Sequence, residues 1–552
     1  MPTQERLKLS RPFTFTSPNR REREHDDMAD DILGISGLWG SQSYQTIFDE
    51  LENATSRYSN DNQAIDQISQ EVGDLYQNLR TDVDDFILGL RAFSERPSLV
   101  DYNGGLSFHD VSMFGAAPDD GLDDTAALQA AFNRSGSIIF LAPGTYEISR
   151  PINILATTHG VIISAYGASI DASRSTVAGA DGLVIYGSET DAAHDIIIAG
   201  LDIKNSNDLA FSSYGQGDRK NPYNIAFIDT SSHDAATAGF LMNSAQNVLL
   251  YNHKDSGSKR GIVFMSPGAD SGSFLPLDTP YDVSNVAVID CYVSGTDEYA
   301  YQFYFGKDIL FAGNYADGAS ISVGEIAGVV FDRSENILVL DNVIENTAVN
   351  QILLNATVNS LVADNHVIGG EFGIQTFYNW ENDENPDIYQ AKNSIVYKNI
   401  AEDYTKSGVI FHGVHHGLIL ENTIIGSSPV SIDVRSSFRP EDRYYMDSLY
   451  ISVIGNLVAQ GEINDSRPGS YIKVNNGAVD FLDIYSNIYR GNITASSQES
   501  PEGGSHPGEA IPEPPGTPEV PDPSEPPIEA EPGSPPGPGS GEETPEPPPV
   551  TS

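Results

Sequence analysis

Cysteine is almost missing: Cys291 is the only one in 552 residues. No intrachain disulfide can form, and a cysteine-built metal site is excluded. Neither end carries an 18-residue apolar run, so no transmembrane helix is expected. The stretch from Arg6 to Arg23 is basic and polar and has no apolar core of a secretory signal, which implies an exit route other than ordinary secretion. Lysine is scarce, ten against twenty arginines, while aspartate and glutamate number 78 and the net charge is −48. Such a surface repels nucleic acid and anionic membrane, so neither is an expected partner. It suits high salt, where screening removes the self-repulsion, and so reads as halophilic; the alternative is an ordinary acidic extracellular protein. No phosphate-cradling loop and no serine elbow is found.

What is present divides the chain into four. Residues 1–43 read as an irregular arm, basic as far as Arg23 and then acidic. Residues 44–96 read as helical, with Ile65, Ile68, Val72, Leu75, Leu79, Val83, Phe86 and Leu90 forming a heptad seam with one stutter. The seam fits either a short stalk or a helix packed on its own domain. Isoleucine at the first two seam positions and the polar flanks favour a trimeric coiled coil, hence a homotrimer. Pro97 ends that helix. The region 101–492 carries the repeats described next. After it, residues 493–552 are rich in Pro, Glu and Gly, with twelve acidic residues and no Lys or Arg beyond Gln498, and should form a disordered tail.

The passage Asp110 to Phe132, followed by Ile138 to Tyr146, reads as strand, glycine turn, helix and strand. Asp123, Asp124 and Thr125 open the helix as cap and first-turn acids. Short apolar strands ending in Asn or Asp then recur, at Asn252, Asp290, Asn314, Asn342, Asn365, Asn399, Asn422, Asn456 and Asn487. A coil of about 23 residues with loop insertions explains their spacing, and stacked Asn side chains can bond one another. A second strand repeats in phase, as in Gly261–Met265, Gly328–Asp332 and Gly408–His412. Two phased strands per coil imply an all-β solenoid. The opening passage resembles that of the pectate-lyase superfamily, the rhamnogalacturonase- and epimerase-like domain found in many phage tailspikes. The resemblance implies a right-handed parallel β-helix with an outer face that handles carbohydrate, and the order arm, stalk, β-helix resembles a tailspike attached to its virion through the N-terminus.

In a strand the side chains alternate, so the residue closing each second strand should join an outward ladder: Tyr304, Asp332, Leu354, Phe377, His412, Asp433. His412 and Asp433 are thereby expected as neighbours, with Arg435 one outward position further; these three form the candidate catalytic set. Insertions after the second strand bring Phe377, Tyr378, Trp380, Glu381, Asp383, Phe438 and Tyr444, which would wall a sugar cleft with aromatic faces and carboxylates. The Asn-Thr-Asp and Arg-Ile-Lys strands of polygalacturonase relatives and an Asp-Pro-His-Glu run are missing, so the chain departs from the enzymatic patterns of those relatives. No cofactor is expected; calcium would suit so acidic a surface, but no ligand loop with regular oxygen spacing is seen. The reading is a virion-borne, tailspike-like protein that binds, and in its enzymatic form depolymerises, host polysaccharide. The alternative is an extracellular polysaccharide lyase, glycoside hydrolase or epimerase.

Overall fold

The computed structural model describes residues 50–51, 53–54 and 107–489, apart from 177–178, 216–219, 267–282, 320–326, 378–390, 436, 440–443, 447–448, 463–481 and 486–487. The arm, the tail and all but four residues of the segment 44–96 lie outside the described residues.

Strands here are short because a corner follows every few residues. One coil shows the plan: Glu335–Leu340 in a first sheet, Val343–Glu345 in a second, and Asn350–Asn355 in a third. Each strand pairs in parallel with its counterpart one coil away. Repetition builds sheets of 14, 13 and 11 strands, and the described body is a right-handed parallel β-helix. The repeats legible in the sequence are these coils.

The interior is filled by the inward residues of all three sheets. On the third sheet Phe264, Phe303 and Phe331 stack face to face, with centroids 5.4 and 4.7 Å apart. The first coil is closed by a helix over Thr125–Phe132 whose Leu128, Ala131 and Phe132 are buried. Asp123 accepts from the Thr125 amide at 3.1 Å and so caps the helix as the sequence suggested, whereas the side chain of Asp124, the N-cap residue, makes no cap hydrogen bond. Asp124 instead accepts from the Ala117 amide at 3.0 Å, and Asp123 accepts from the Ser149 hydroxyl at 2.6 Å. They fasten the turn to the neighbouring coil. Burial opposes the charge on Asp123, but hydrogen bonds from Ser149 and Thr125 outweigh it and hold its pKa down at about 2.

Between the first and second sheets an asparagine column runs inside the wall. Asn314 donates to Asn342, Asn342 to Asn365, Asn365 to Asn399, Asn399 to Asn422 and Asn422 to Asn456, all at 2.8–3.0 Å. The left-handed backbone falls one residue earlier than the sequence suggested, on Asp341, Asp364, Lys398 and Glu421 with φ of 51–55°. The ladder amides are thereby turned inward. At the same column position the earlier coils carry His253 and Cys291, and the Cys291 amide donates to Asn314 Oδ1 at 2.9 Å. Burial pushes the Cys291 thiol up to about 12, so it is a core residue without thiolate character. A second ladder, outside, was not anticipated: Asn359 donates to Asn336 and Asn393 to Asn359, each at 2.9 Å and each with φ near 55°.

Third-sheet strands often carry glycine at their second position because the second-sheet strand of the next coil crowds that corner. A Cβ on Gly328 would lie 2.4 Å from Ile344 Cγ2 and 2.9 Å from the Gln351 carbonyl.

The first sheet is apolar on both faces. Its outward positions are Ala199, Ala226, Ile228, Leu249, Ala287, Ile289, Leu310, Leu338, Leu361, Leu418 and their neighbours, which form one continuous cluster. Every fully buried member of that cluster is 7% exposed or less.

Candidate functional site

The third sheet presents the other outward face. With Val409 and Phe411 packed inward, Ile410 and His412 must face out, and the same alternation holds on each strand. Register then fixes a column of strand-closing residues: Tyr186, Tyr214, Asn243, Met265, Tyr304, Asp332, Asn355, Phe377, His412 and Arg435. Phe377 and His412 meet edge to face, with ring centroids 4.8 Å apart.

Two rungs of the expected ladder need correction. Asn355, not Leu354, lies between Asp332 and Phe377; Leu354 points into the core. The partner of His412 is Arg435, while Asp433 pairs with Ile410. The cause is a slip of two residues. Aligning Val430 and Ile432 on Val409 and Phe411 satisfied the apolar pattern, but the chain stacks Ile432 and Val434 there instead. Because side chains alternate with period two, this slip keeps Asp433 on the outward face and moves it along the strand. His412 and Asp433 are diagonal neighbours, about 7–8 Å apart at Cα. Asp433 is fully buried and His412 half-buried.

Of the other expected residues, Tyr378, Trp380, Glu381 and Asp383 lie outside the described residues. Arg435, Phe438 and Tyr444 are placed by their backbones. Ser437–Arg439 and Tyr444–Met446 pair antiparallel, bringing Arg439 opposite Tyr444 and Phe438 opposite Tyr445. This hairpin follows the last described third-sheet strand, Ile432–Arg435, in the chain and forms a separate two-stranded sheet.

The structure adds two groups that sequence reasoning missed. Midway along the column, Tyr304 and Asp332 stand on adjacent rungs, and the corner residues after them, Phe305 and Arg333, both have φ of +50°. Bulky residues rarely adopt this conformation, which costs roughly 1–2 kcal/mol each. Here the Arg333 guanidinium lies 5.1 Å over the Phe305 ring and its Nε 3.6 Å from Asp332 Oδ1. Burial, reinforced by Asp332, raises the Tyr304 phenol well above its ordinary pKa. Nearer the first coil, Ser212 and Tyr214 donate to Asp181 Oδ2 at 2.7 and 3.1 Å, and Tyr186 stacks on Tyr214 at 6.0 Å. Burial raises the pKa of Asp181 against those two hydrogen bonds. The outward position of Tyr214 could have been read from alternation; the contact with Asp181, thirty-three residues earlier, could not.

Chemically the column offers aromatic rings (Tyr186, Tyr214, Tyr304, Phe377) between hydrogen-bonding groups (Asn243, Asp332, Asn355, His412) at one residue per coil, about 4.8 Å. Among the described residues no group of three or more His, Cys, Asp or Glu side chains is arranged to hold a metal ion. Nor does any helix among them have the length and apolarity to cross a membrane.

Residues 108–326 match the family model described as rhamnogalacturonase A/epimerase, pectate lyase-like. No curated protein matches the chain. Among solved structures, the chain is similar to the A-module of the Azotobacter vinelandii mannuronan C-5 epimerase AlgE6, at 15% identity and TM-score 0.44, over 69% of this chain and 94% of that one. It is similar to a PL6 family polysaccharide lyase of Pseudopedobacter saltans, at 12% identity and TM-score 0.45, over 67% and 92%. A third is the ORF18 protein of Geobacillus virus E2, at 12% identity and TM-score 0.39, over 73% and 64%.

Proposed function

We propose that this pectate-lyase-like parallel β-helix binds polysaccharide along the outward column of its third sheet. The observation that carries the reading is the in-register run Tyr304, Asp332, Asn355, Phe377, His412, Arg435 on one face. A sugar ring presents an apolar face and a hydroxyl edge, and a column that alternates rings with amide, carboxylate and imidazole groups serves both. Asp433 lies one rung and two residues from His412 and is fully buried beneath the column's surface. Tyr378, Trp380, Glu381, Asp383, Phe438 and Tyr444 are proposed to complete the walls.

The full chain should be retained on at least one of a panel of acidic polysaccharides, tested at low and high salt. Phe377→Ala combined with His412→Ala should weaken retention about tenfold, or ~1.4 kcal/mol. Tyr292→Ala, which removes a stacked ring (5.0 Å from Tyr315) on the second sheet, should leave it unchanged. Retention by none of the panel, or an equal loss in the Tyr292 variant, would remove the proposal. The same incubations read out chemistry: unsaturated products would add a lyase, with His412 as base and Arg435 as the uronate's counter-charge, and new reducing ends a hydrolase.

The finer reading is a tailspike- or fibre-like protein attached to a virion through its N-terminal arm. Its support is the order of basic arm, helical segment and β-helix in the sequence. The chain should then co-sediment with virus particles through a density gradient; recovery only in the soluble fraction would count against it.

A further inference from the structure

The apolar outer strip of the first sheet is covered. On a bare sheet face, leucine and isoleucine side chains keep much of their surface in water, yet Leu249, Leu310, Leu338 and Leu361 are 0–3% exposed while facing away from the core. The strip extends over ten strands, from Ile197 to Ile454, or about 43 Å. Among the described residues outside the β-helix, only Leu51 and Ala54 join it, and two residues of a helical turn cannot cover ten coils.

We infer that residues 55–93 of the same chain lie as a helix along this strip, with the heptad seam Ile65–Leu90 as the buried side. Three observations on independent grounds fix the occupant. First, the residues just before the segment are already on the strip. Glu50, Leu51, Asn53 and Ala54 are helical, Leu51 and Ala54 are buried against it, and Glu50 makes an ion pair with Lys398 at the corner after the strand Ala391–Tyr397. Second, the first described residue after the segment, Ser107, is also on this sheet. Ser107 opens the edge strand, ten positions before Ala391–Tyr397 in the sheet order, so the two anchors are about 48 Å apart along the axis. Third, the lengths agree. A helix rises 1.5 Å per residue, so continuing from Ala54 it reaches the first coil after about 32 residues, near Phe86, close to the end of the seam. About 20 residues then remain to turn back to Ser107.

The inference bears on assembly. A seam buried on its own β-helix cannot also form the core of a three-stranded coiled coil, so the helical segment is a clamp on its own domain and any trimer must use another surface.

The test is site-specific photocrosslinking in the full chain. A benzophenone side chain replaces Val72 on the seam or, as control, Asp74 on the opposite side of the helix. Irradiated protein from a mixture of heavy-isotope-labelled and unlabelled chains is digested and the cross-linked peptides are identified. From position 72 we expect cross-links to first-sheet strands of the same chain, centred on Tyr223–Tyr251, and from position 74 none. Cross-links to the 65–90 segment of a second chain, to the strip of a second chain, or to no strip strand at all would each overturn the inference.

Discussion

Asn365→Leu should lower the free energy of unfolding by on the order of 4 kcal/mol, although leucine is apolar and close in size. The reason is that Asn365 serves both neighbouring coils. Its Oδ1 accepts from the Asn342 amide at 3.0 Å and from Asn342 Nδ2 at 2.8 Å. Its Nδ2 donates to the Val339 and Ala363 carbonyls and to Asn399 Oδ1, at 2.9–3.0 Å. Asn342, Asn365 and Asn399 are all 1% exposed or less, so water does not replace what is lost. Leucine would strand the Asn342 backbone donor and the Val339 acceptor, each costing about 1–3 kcal/mol, and would break the column in the middle. Ser360→Ala is the contrast. It removes one buried hydrogen bond, to Ser394 at 3.0 Å, and should cost about 1 kcal/mol. Urea unfolding of the two variants decides the matter. If Asn365→Leu proves no worse than Ser360→Ala, the ladder is a consequence of coil geometry and adds no stability of its own.

That ladder also shows how far sequence reasoning reaches. The recurring Asn was visible because each coil repeats one strand and one corner, and the stacked bonds followed from the repeat. Which residue takes the left-handed backbone did not follow, since Asp341 and Asn342 are equally suited to a corner by residue type; only the inward direction of the amide separates them. The third-sheet register was misread for a related reason. Val430, Ile432 and Val434 form three alternating apolar positions, so either adjacent pair satisfies the core pattern, and the chain stacks Ile432 and Val434 on Val409 and Phe411. By contrast, the covered strip was legible and went unread. Strands such as Val248-Leu-Leu-Tyr251 and Leu418-Ile-Leu420 are apolar without alternation, the mark of a strand buried on both faces. Read that way, they call for something to lie over the first sheet. The clusters around Asp181 and Arg333 depend on contacts between coils and on positive φ at bulky residues, neither of which residue type announces.

The second large effect lies in how stability depends on pH, because two oppositely shifted groups share the interior. His253 is fully buried; Thr230 lies 2.9 Å from its Nδ1 and Ser232 3.1 Å from its Nε2. Burial, with the nearby His233 charge, lowers its pKa from 6.5 to about 3. Asp255 is also fully buried and accepts from Ser232 and Ser258 at 2.7 Å. Burial raises its pKa from 3.8 to about 6 against those hydrogen bonds, with His233 lowering it and Asp234 raising it. Neutral His253 favours the fold above pH 6.5, and that contribution is lost as pH falls, since the unfolded chain binds the proton first. Protonated Asp255 favours the fold below pH 3.8, and that contribution is lost as pH rises to about 6. Between about pH 4 and 6 the two slopes oppose each other and nearly cancel. Each is about 1.4 kcal/mol per pH unit. Asp255→Asn removes one slope, so its stability relative to the unaltered protein should rise by about 3 kcal/mol from pH 4 to pH 6. His253→Gln should fall by a similar amount over the same interval. Taking each variant against the unaltered protein cancels the background from ordinary ion-paired carboxylates such as Glu298, whose pKa is lowered overall by Lys259 and Arg260 against its burial. The half-buried Asp202–His233 pair lies nearby, and its His233 acts on both groups. Urea midpoints at pH 4, 5 and 6 give both differences. Two flat lines would show that His253 and Asp255 keep their unfolded-state pKa values inside the β-helix, with the contacts to Thr230, Ser232 and Ser258 compensating fully for burial; two lines of the same sign would show that one of the two shifts runs the other way.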